Sequence, residues 1–337
     1  MYTFMWLYII PLIIVIAYTL VRHVHYGIFN QKAANFVVNP FYNDHTVYGA
    51  ALAMFFPVIV GFLFGDKYKP LTKVFIWLVF IIFLAAIVFS YTRATWISLI
   101  LGLALLFTVL LKIKFRYVFI LLSIIITIGV VYRTDILLKL EQNRQESSKN
   151  LSEHLKSISN VTSDASNLER LNRWSCAIRM FKERPVFGWG PGTYMFKYAP
   201  FQLSYEKTII STNAGDRGNA HSEYLGPLSE SGIIGMLSFL AIVFLTIYYA
   251  LIVYRRLEDR NLKIFILSVF IALSTYYIHG LLNNFLDTDK ASIPFWAFTA
   301  MIVVIDLFHS GKQINKEEEK VNQKNSKPII EISSKND

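Results

Sequence analysis

Apolar runs of membrane-spanning length, each with at most one Asp, Glu, Lys or Arg, recur along this 337-residue chain, and they restrict its fold more strongly than any other sequence feature. They lie near residues 4–21, 47–64, 72–89, 95–111, 117–132, 232–253, 263–283 and 291–308. Each is close to the roughly 17 to 25 residues that a helix needs to cross the hydrocarbon core of a bilayer. The sequence therefore predicts an all-α, polytopic integral membrane protein of about eight transmembrane helices.

The composition agrees with this class of protein. Hydrophobic residues make up 54% of the chain and charged residues only 17%, a balance that is unusual for a soluble globular domain. The single cysteine, Cys176, excludes an intrachain disulfide and a cysteine-based metal cluster. The N-terminal segment has neither a basic leader nor a small-residue cleavage site, so it predicts a first membrane helix rather than a cleaved signal peptide.

The net charge of +10 follows the expected topology and does not predict nucleic-acid binding. If the C-terminus is cytoplasmic, ten Lys and Arg residues fall in the short inner loops: Lys67, Lys69, Lys73, Lys112, Lys114, Arg116, Arg255, Arg256, Arg260 and Lys263. Only four fall in the short outer loops: Arg22, Lys32, Arg93 and Lys290. Because basic short loops stay in the cytoplasm, we expect transmembrane helices in residues 1–132 and 221–309, an outer loop at 133–220, and a disordered cytoplasmic tail at 310–337.

The outer loop has two parts with different patterns. Residues 141–167 are rich in Ser and Asn and only weakly periodic. Beyond them, apolar residues recur at intervals of three or four: Leu171, Trp174, Ile178 and Phe181. This spacing predicts an amphipathic helix that ends at Pro185. With Arg170, Arg173 and Arg179 beside the apolar stripe, we expect the helix to lie on the membrane surface, with arginines that are solvated or touch lipid headgroups.

Two residues at the expected membrane border have both a structural and a functional interpretation. Arg93 lies between two apolar runs, where a guanidinium either snorkels outward or faces a cavity that binds phosphate. His221 lies at the polar edge of an apolar segment, and Asn219 is expected to cap a helix that begins near Ala220. In the first turn of that helix, the dipole would keep the imidazole neutral and able to accept a proton.

Glycines mark two further positions. Gly188, Gly190 and Gly192 in "FGWGPGTY" predict a tight turn after the amphipathic helix, with backbone N–H groups that could assist an anion. Gly232 and Gly235 share the helix with His221 and predict a close helix neighbour.

Familiar catalytic motifs are missing from the sequence, which has no Walker loop, dinucleotide fingerprint, nucleophile elbow or HExxH segment. Asp44 and His45 are adjacent, and two such residues make a poor metal site. The sequence predicts neither a metal nor a cofactor.

Three segments together resemble the bacterial O-antigen ligase and polymerase superfamily, also called the O-antigen ligase-related or Wzy C-terminal domain proteins. "SYTRATWISLILG" is similar to the family's Ser-Arg-Ala/Gly-Trp helix start, and "RLNRWSCAIRMFKERPVFGWGPGTY" is similar to its Arg-x-x-x-Trp helix followed by a Pro-x-x-Gly-x-Gly turn. "HSEYLGPLSESGIIG" fits the ligase pattern of His-[Asn/Ser/Gln], nine residues and Gly-x-x-Gly, with His221, Ser222, Gly232 and Gly235 in register. The resemblance runs from Asn43 to Phe308.

The resemblance implies a C-type glycosyltransferase of the bacterial inner membrane that is metal-independent and inverting and works on the periplasmic face. Members take a glycan from undecaprenyl diphosphate and pass it to an acceptor hydroxyl. The acceptor is lipid A-core in ligases, another undecaprenyl-linked glycan in polymerases and a protein side chain in related enzymes. A ligase is our first expectation, and the three shared segments leave the other acceptors open.

Mapped onto this sequence, the family pattern makes Arg93 and Arg170 the expected ligands of the diphosphate and His221 the expected base. Arg173 and Ser222 are expected to be secondary contacts. The same role is expected for the three glycines of the turn: Gly188, Gly190 and Gly192.

One departure from the family and one competing class stay open. Full-length ligases usually have more transmembrane helices than the predicted number, which suggests an N-terminally shortened member or an incomplete gene product. The competing class is a transporter or binding protein for an anionic lipid-linked sugar. Transporters often carry paired half-repeats and ionisable residues inside several helices, whereas this sequence shows no repeat and gathers its arginines and histidine at the outer border.

Overall fold

The computed structural model describes residues 1–132, 165–208, 211–212 and 218–310, and these residues form helices joined by loops. The helices are α1 (Tyr2–His25), α2 (Gln31–Val37), α3 (His45–Phe64), α4 (Pro70–Phe89), α5 (Arg93–Leu110), α6 (Phe115–Val131), α7 (Ala165–Glu183), α8 (Tyr194–Lys197), α9 (Leu225–Arg256), α10 (Arg260–His279) and α11 (Asp289–Ile305). Because the described ranges contain no strand, the all-α class is confirmed. The predicted Ser/Asn-rich part of the loop before 165 and the predicted tail beyond 310 lie outside the described residues.

Seven of the described helices are long and apolar enough to cross a membrane: α1, α3, α4, α5, α9, α10 and α11 with the turn that follows it. The polytopic membrane class is therefore confirmed. The remaining predicted run coincides with α6, which has 17 residues. At 1.5 Å per residue such a helix is about 26 Å long, whereas the hydrocarbon core is about 30 Å thick. This predicted run thus corresponds to a helix at the lower limit of spanning length, and the other seven are longer than this limit.

Helices α3 and α10 form the centre of the bundle. Every side chain from Phe265 to Tyr277 in α10 is buried, because this helix packs against α3, α5, α9 and α11. Helices α1 and α4 are peripheral and expose apolar side chains such as Ile14 and Trp77 on their outer faces. A helix that is apolar on all sides belongs at the core, and an exposed apolar face belongs against lipid.

A glycine brings the first turns of α3 and α5 together. A Cβ at Gly49 would overlap the Oγ1 of Thr95 and lie 2.9 Å from the Cβ of Thr92. Small residues at a helix crossing allow this close approach. As a result Asp44, which caps α3, and Arg93, which begins α5, lie at the same end of the bundle.

The opposite end carries charges from the predicted inner loops. There Arg260 Nη1 lies 2.7 Å from Asp66 Oδ2, where α3 has ended and α10 begins. Arg93 and His279 lie at the other end, at the start of α5 and the end of α10. The structure therefore places Arg260 of the predicted inner loops and Arg93 of the predicted outer loops at opposite ends of the bundle. The end that faces the cytoplasm stays a prediction.

Helix α7 confirms the predicted amphipathic helix and ends at Glu183, two residues before Pro185. Ile178 in the apolar stripe is 42% exposed, and a different face is buried, which carries Glu169, Asn172, Arg173, Cys176, Ala177 and Met180. This buried face packs against residues 194–208 and 211–212, where hydrogen bonds offset the burial of its polar groups. That the apolar stripe lies on a membrane surface stays a prediction.

Candidate active site

The candidate site lies at the end of the bundle where α3 and α5 begin and α10 ends. The arginine-bearing helix α7 contacts two neighbouring segments there. Arg170 Nε donates a hydrogen bond of 3.1 Å to the carbonyl oxygen of Leu282 in the loop after α10. Trp174 Nε1 donates one of 3.3 Å to the carbonyl oxygen of His221 in the segment before α9. Helix α7 thus holds the loop and the histidine segment close together.

The two arginines that the family resemblance places on the diphosphate are electrostatic neighbours. The charge of Arg170 acts on Arg93, and Arg170 Nη1 also donates to Asn167 Oδ1 at 3.1 Å. Burial lowers the pKa of Arg170 and the carboxylate of Asp44 opposes this. Since an arginine ordinarily titrates above pH 12, both side chains remain cationic at neutral pH, and together they attract a polyanion.

Asp44 is part of this cluster although the sequence offered only a weak signal for it. Burial raises the pKa of its carboxyl group, but hydrogen bonds from His45 and Thr46 outweigh that effect and hold the pKa at about 2. Its negative charge acts on both Arg170 and His221. Asp44 therefore supplies a fixed anion that limits the mutual repulsion of the cations.

His221 does not lie in the first turn of a helix, so that prediction is wrong. Its φ is +48°, a left-handed conformation that side chains seldom adopt, and α9 begins only at Leu225. Asn219 Oδ1 accepts the N–H of His221 at 3.1 Å and thereby stabilises a turn instead of capping a helix. The Oγ of the buried Ser222 accepts the N–H groups of Tyr224 and Leu225, each at 3.3 Å, in the turn that precedes α9.

The imidazole of His221 is neutral at pH 7. Burial lowers its pKa most, and the charges of Arg170 and Arg173 add to this, so that the pKa falls from 6.5 to about 4. Glu169 and Asp44 oppose the shift. The sequence argument expected a neutral ring because of a helix dipole, whereas the physical cause in the structure is desolvation next to two guanidinium groups.

Arg173 is buried between α7 and the residues that follow the glycine turn. It does not lie on a membrane surface, contrary to the expectation for this arginine. Its Nε lies 2.6 Å from Glu169 Oε1, and its Nη2 donates to Thr212 Oγ1 at 2.6 Å. The guanidinium carbon lies 3.9 Å from the centre of the Tyr198 ring. Arg173 thus contacts Tyr198 and Thr212 from α7, and its charge also acts on His221.

The glycine turn after α7 binds the chain's own carboxylate. The N–H groups of Gly192 and Tyr194 donate to the two carboxylate oxygens of Glu230 at 3.0 and 2.9 Å. Gly190 donates its N–H to the carbonyl oxygen of Glu230 at 2.7 Å, and a Cβ at Gly188 would overlap the same residue's backbone. The anion that this turn holds is therefore internal, and the role of its glycines toward substrate stays a prediction.

The close neighbour of Gly232 is this turn and not another helix. A Cβ at Gly232 would overlap the carbonyl group of Val186, and the N–H of Ile233 donates to the carbonyl oxygen of Pro185 at 2.8 Å. A Cβ at Gly235 would overlap Ser231 in its own helix. The prediction of a helix neighbour is thus wrong for both glycines, because the chain kinks at Gly232, where φ is 67° and ψ is −160°.

Glu223 is a buried acid at the site that sequence reasoning missed. Its Oε1 accepts three hydrogen bonds, from Tyr276 Oη at 2.5 Å, Phe285 N at 2.6 Å and Leu286 N at 2.9 Å. A carboxylate two residues from His221, just before an apolar run, was the available signal, because a charge beside a membrane span is costly unless it is paired.

His279 is a second histidine that the sequence reasoning passed over. It is buried at the end of α10, and its Nε2 lies 3.2 Å from Asn283 Nδ2. The charges of Arg170 and Asp44 act on it. The signal would have been a histidine at the end of an apolar run followed by paired asparagines, "IHGLLNN".

The described residues bring together the three side chains that the sequence nominated for catalysis. Two guanidinium groups and a neutral imidazole share one region, and the charge of Arg170 acts on both Arg93 and His221. Across the described ranges, no three His, Cys, Asp or Glu side chains are grouped as a metal ion would require. Chemically, the arrangement can bind a polyanion and accept a proton beside it.

The comparison with protein families agrees with this chemistry. The family model described as O-antigen ligase matches residues 78–240, a range that contains Arg93, Arg170, His221 and the glycine turn. No curated protein shows significant similarity to the chain. The family match and the seven apolar helices together support a bacterial membrane glycosyltransferase of the O-antigen ligase and polymerase superfamily. Residues 78–240 of the chain are therefore similar to the O-antigen ligases.

Proposed function

We propose that this protein transfers a glycan from undecaprenyl diphosphate to an acceptor hydroxyl at the end of the bundle that holds Arg93, Arg170 and His221. The observation that supports the proposal is the position of two cations and one neutral imidazole at one end of the bundle, where the charge of Arg170 acts on both Arg93 and His221. The O-antigen ligase match supports the reaction class.

The arginines have the chemistry to bind the diphosphate. A guanidinium remains charged and offers a planar fork of donors that matches phosphate oxygens. Negative charge grows on the diphosphate as the bond between the anomeric carbon and the phosphate oxygen breaks. Arg93 and Arg170 stabilise that charge, and the carbonyl of Leu282 helps to hold Arg170 in place.

His221 is proposed as the base. The acceptor oxygen forms a bond to the anomeric carbon, the bonding electrons of the sugar–phosphate bond leave with the diphosphate, and the acceptor proton moves to the imidazole. A single displacement of this kind inverts the anomeric configuration, and no step in it requires a metal ion. Because Arg170 and Arg173 lower the pKa of His221, a bound diphosphate would offset those charges and make the imidazole a stronger base.

Lipid A-core is the proposed acceptor, with the reaction on the periplasmic face of the inner membrane. The excess of Lys and Arg in the short loops at the opposite end supports that orientation. A polymerase would instead pass the glycan to a second undecaprenyl-linked glycan, and a protein glycosylating enzyme would pass it to a side chain. All three reactions make the same demand on Arg93, Arg170 and His221.

The direct test uses the purified full chain in proteoliposomes with a glycan on undecaprenyl diphosphate. One reaction contains lipid A-core, and a second contains only the donor. A glycan joined to lipid A-core supports a ligase, and chains of increasing length in the donor-only reaction support a polymerase. A third reaction contains a protein acceptor, and the absence of transfer in all three reactions would contradict the proposal. Loss of transfer on addition of a chelator would contradict the metal-free mechanism.

A further inference from the structure

We infer that Glu223 is a positioning residue for this reaction, which fixes the segment carrying His221 to the loop that holds Arg170. The inference rests on the proposed function, because it assigns Glu223 a task in that reaction. It begins from a carboxylate that is 7% exposed and lies two residues from His221.

The contacts of Glu223 all lead to the end of α10 and the loop after it. The hydroxyl of Tyr276 and the N–H groups of Phe285 and Leu286 donate to one carboxylate oxygen, at 2.5, 2.6 and 2.9 Å. Burial raises the pKa of Glu223, and these donors oppose the shift. A buried acid is costly without partners, so the three donors tie the loop to Glu223.

Backbone contacts reinforce the same attachment. The N–H of Glu223 donates to the carbonyl oxygen of Gly280 at 2.8 Å, and a Cβ at Gly280 would lie only 2.9 Å from the Cγ of Glu223. One residue further along, the hydroxyl of Tyr224 donates to the carbonyl oxygen of Tyr277 at 3.0 Å. The segment before α9 is therefore attached to the end of α10 at several successive points.

The attached loop also determines where Arg170 lies. Between Gly280 and Phe285, the carbonyl oxygen of Leu282 accepts the Nε of Arg170 at 3.1 Å. Glu223 thus fixes the loop that contacts Arg170, the residue proposed to bind the diphosphate. Glu223 also lies in the same chain segment as His221, two residues further along. A shift of about 1 Å between reacting groups lowers a rate by roughly 100-fold. Loss of the contacts of Glu223 is therefore expected to lower the rate of transfer.

The role depends on an oxygen acceptor and not on a negative charge, because every group at Oε1 is a donor. An amide oxygen is also a hydrogen-bond acceptor, whereas the methyl group of alanine is not. Glu223→Gln is therefore the matched control for Glu223→Ala, and it tests whether the acceptor oxygen is sufficient without the negative charge.

The first experiment measures transfer by full-chain variants in proteoliposomes. We expect Glu223→Ala to lower kcat by roughly 100-fold and Glu223→Gln to retain most of it. If Glu223 acts through Arg170, the double variant with Arg170→Ala is no slower than Arg170→Ala alone. The inference would be overturned if the fall in kcat of the double variant equalled the product of the two single-variant falls. It would also be overturned if Glu223→Ala and Glu223→Gln lowered kcat equally.

The second experiment does not depend on activity. Hydrogen exchange of the backbone amides at Phe285 and Leu286 is expected to speed up in Glu223→Ala and to remain slow in Glu223→Gln. A wild-type protein without transfer contradicts the proposed function, while the exchange still tests the attachment. Faster exchange with normal transfer contradicts the positioning role alone. If Glu223→Ala does not insert, Tyr276→Phe removes one donor, and unchanged kcat and exchange in that variant would contradict the inference.

Discussion

The carbonyl oxygen of Val186 lies so close to Gly232 that a Cβ at this glycine would overlap it. Gly232 also has a φ of 67° and a ψ of −160°, a combination that is essentially restricted to glycine. The contact joins the turn after α7 to α9, the helix that follows His221. Two of the three sequence segments that resemble the O-antigen ligases are therefore held against each other through their backbones.

Replacing Gly232 by alanine is expected to destabilise the protein. The strained backbone alone costs about 1 to 3 kcal/mol, and the overlap with Val186 adds to this. Gly226 in the same helix is the matched control, because no atom lies within 4 Å of its added Cβ and alanine favours a helix by up to about 1 kcal/mol. Thermal unfolding in detergent measures both variants, and equal melting temperatures for the two would refute the role of Gly232.

His221→Asn is expected to abolish most transfer without loss of stability. Asparagine tolerates the left-handed φ of +48° at this position but cannot accept the proton, so we expect turnover to fall by roughly 100- to 10,000-fold. His221→Ala adds backbone strain to the same chemical loss. Single-turnover transfer and melting temperature separate the two effects. Near wild-type turnover in His221→Asn would exclude the residue as the base.

The pH dependence of transfer follows from the lowered pKa of His221. With a pKa of about 4 in the free protein, kcat/KM should stay high down to the region of pH 4, although an ordinary histidine would begin to lose activity near pH 6.5. Bound diphosphate offsets the arginine charges, so the acid limb of kcat should lie at higher pH than that of kcat/KM. An acid limb of kcat/KM at the ordinary histidine value would contradict the assignment.

The same pKa has a consequence for stability with a definite sign. Below its ordinary pKa of 6.5 the unfolded histidine binds a proton, whereas the folded one resists protonation down to about pH 4. Between these values the unfolded chain binds more protons, so the free energy of unfolding should rise with pH. In His221→Asn this contribution is absent. Denaturation midpoints of the two proteins from pH 4 to 7 test it, and an identical pH dependence would count against the low pKa.

Arg170→Lys is expected to behave like a loss of the arginine. The guanidinium contacts Leu282 through Nε and Asn167 through Nη1, and a lysine has one amino group in place of this fork. We expect a large loss of transfer with little change in melting temperature. Arg260→Lys is the control, since Arg260 lies at the opposite end and is 69% exposed. Equal activity of the two lysine variants would argue against a bidentate role for Arg170.

The buried pair of Arg173 and Glu169 should be essential for folding of the segment outside the bundle. Their side chains are 4% and 6% exposed, and removing one partner of a buried pair costs about 3 to 5 kcal/mol. Glu169→Ala should therefore lower the melting temperature strongly. Asp66→Ala, which removes an exposed pair with Arg260, should cost no more than about 1 kcal/mol. Similar decreases in melting temperature for Glu169→Ala and Asp66→Ala would show that an unpaired charge at the buried site costs no more than one at the exposed site.

Apolar run length predicted the membrane helices well, because crossing a bilayer requires a long uncharged segment. Composition alone could not place the ends of the last long helices. Helix α9 begins at Leu225, before the predicted run at 232, because residues 225–231 are helical although Ser229, Glu230 and Ser231 interrupt the apolar pattern. The kink at Gly232 coincides with the start of that run.

The sequence nominated residues that lie at one end of the bundle, but it did not reveal their local geometry. Hydrophobic periodicity reports only apolar burial, so it could not find the polar buried face of α7 with Glu169 and Arg173. It also could not show the left-handed turn at His221, which a hydrogen bond from its own N–H to Asn219 stabilises. Glu223 was missed because its partners are backbone groups some 60 positions away in the chain, and a sequence contains no local sign of them.

The carboxylate of Glu230 binds the glycine turn and therefore competes with dissolved anions for the N–H groups of that turn. A tethered ligand acts at an effective concentration on the order of millimolar or above, and this one occupies the N–H groups of Gly192 and Tyr194. Free phosphate or sulfate must displace this carboxylate before it can bind the turn. On the proposed function, discrimination between a lipid-linked diphosphate and common salts therefore depends on the guanidinium groups of Arg93 and Arg170.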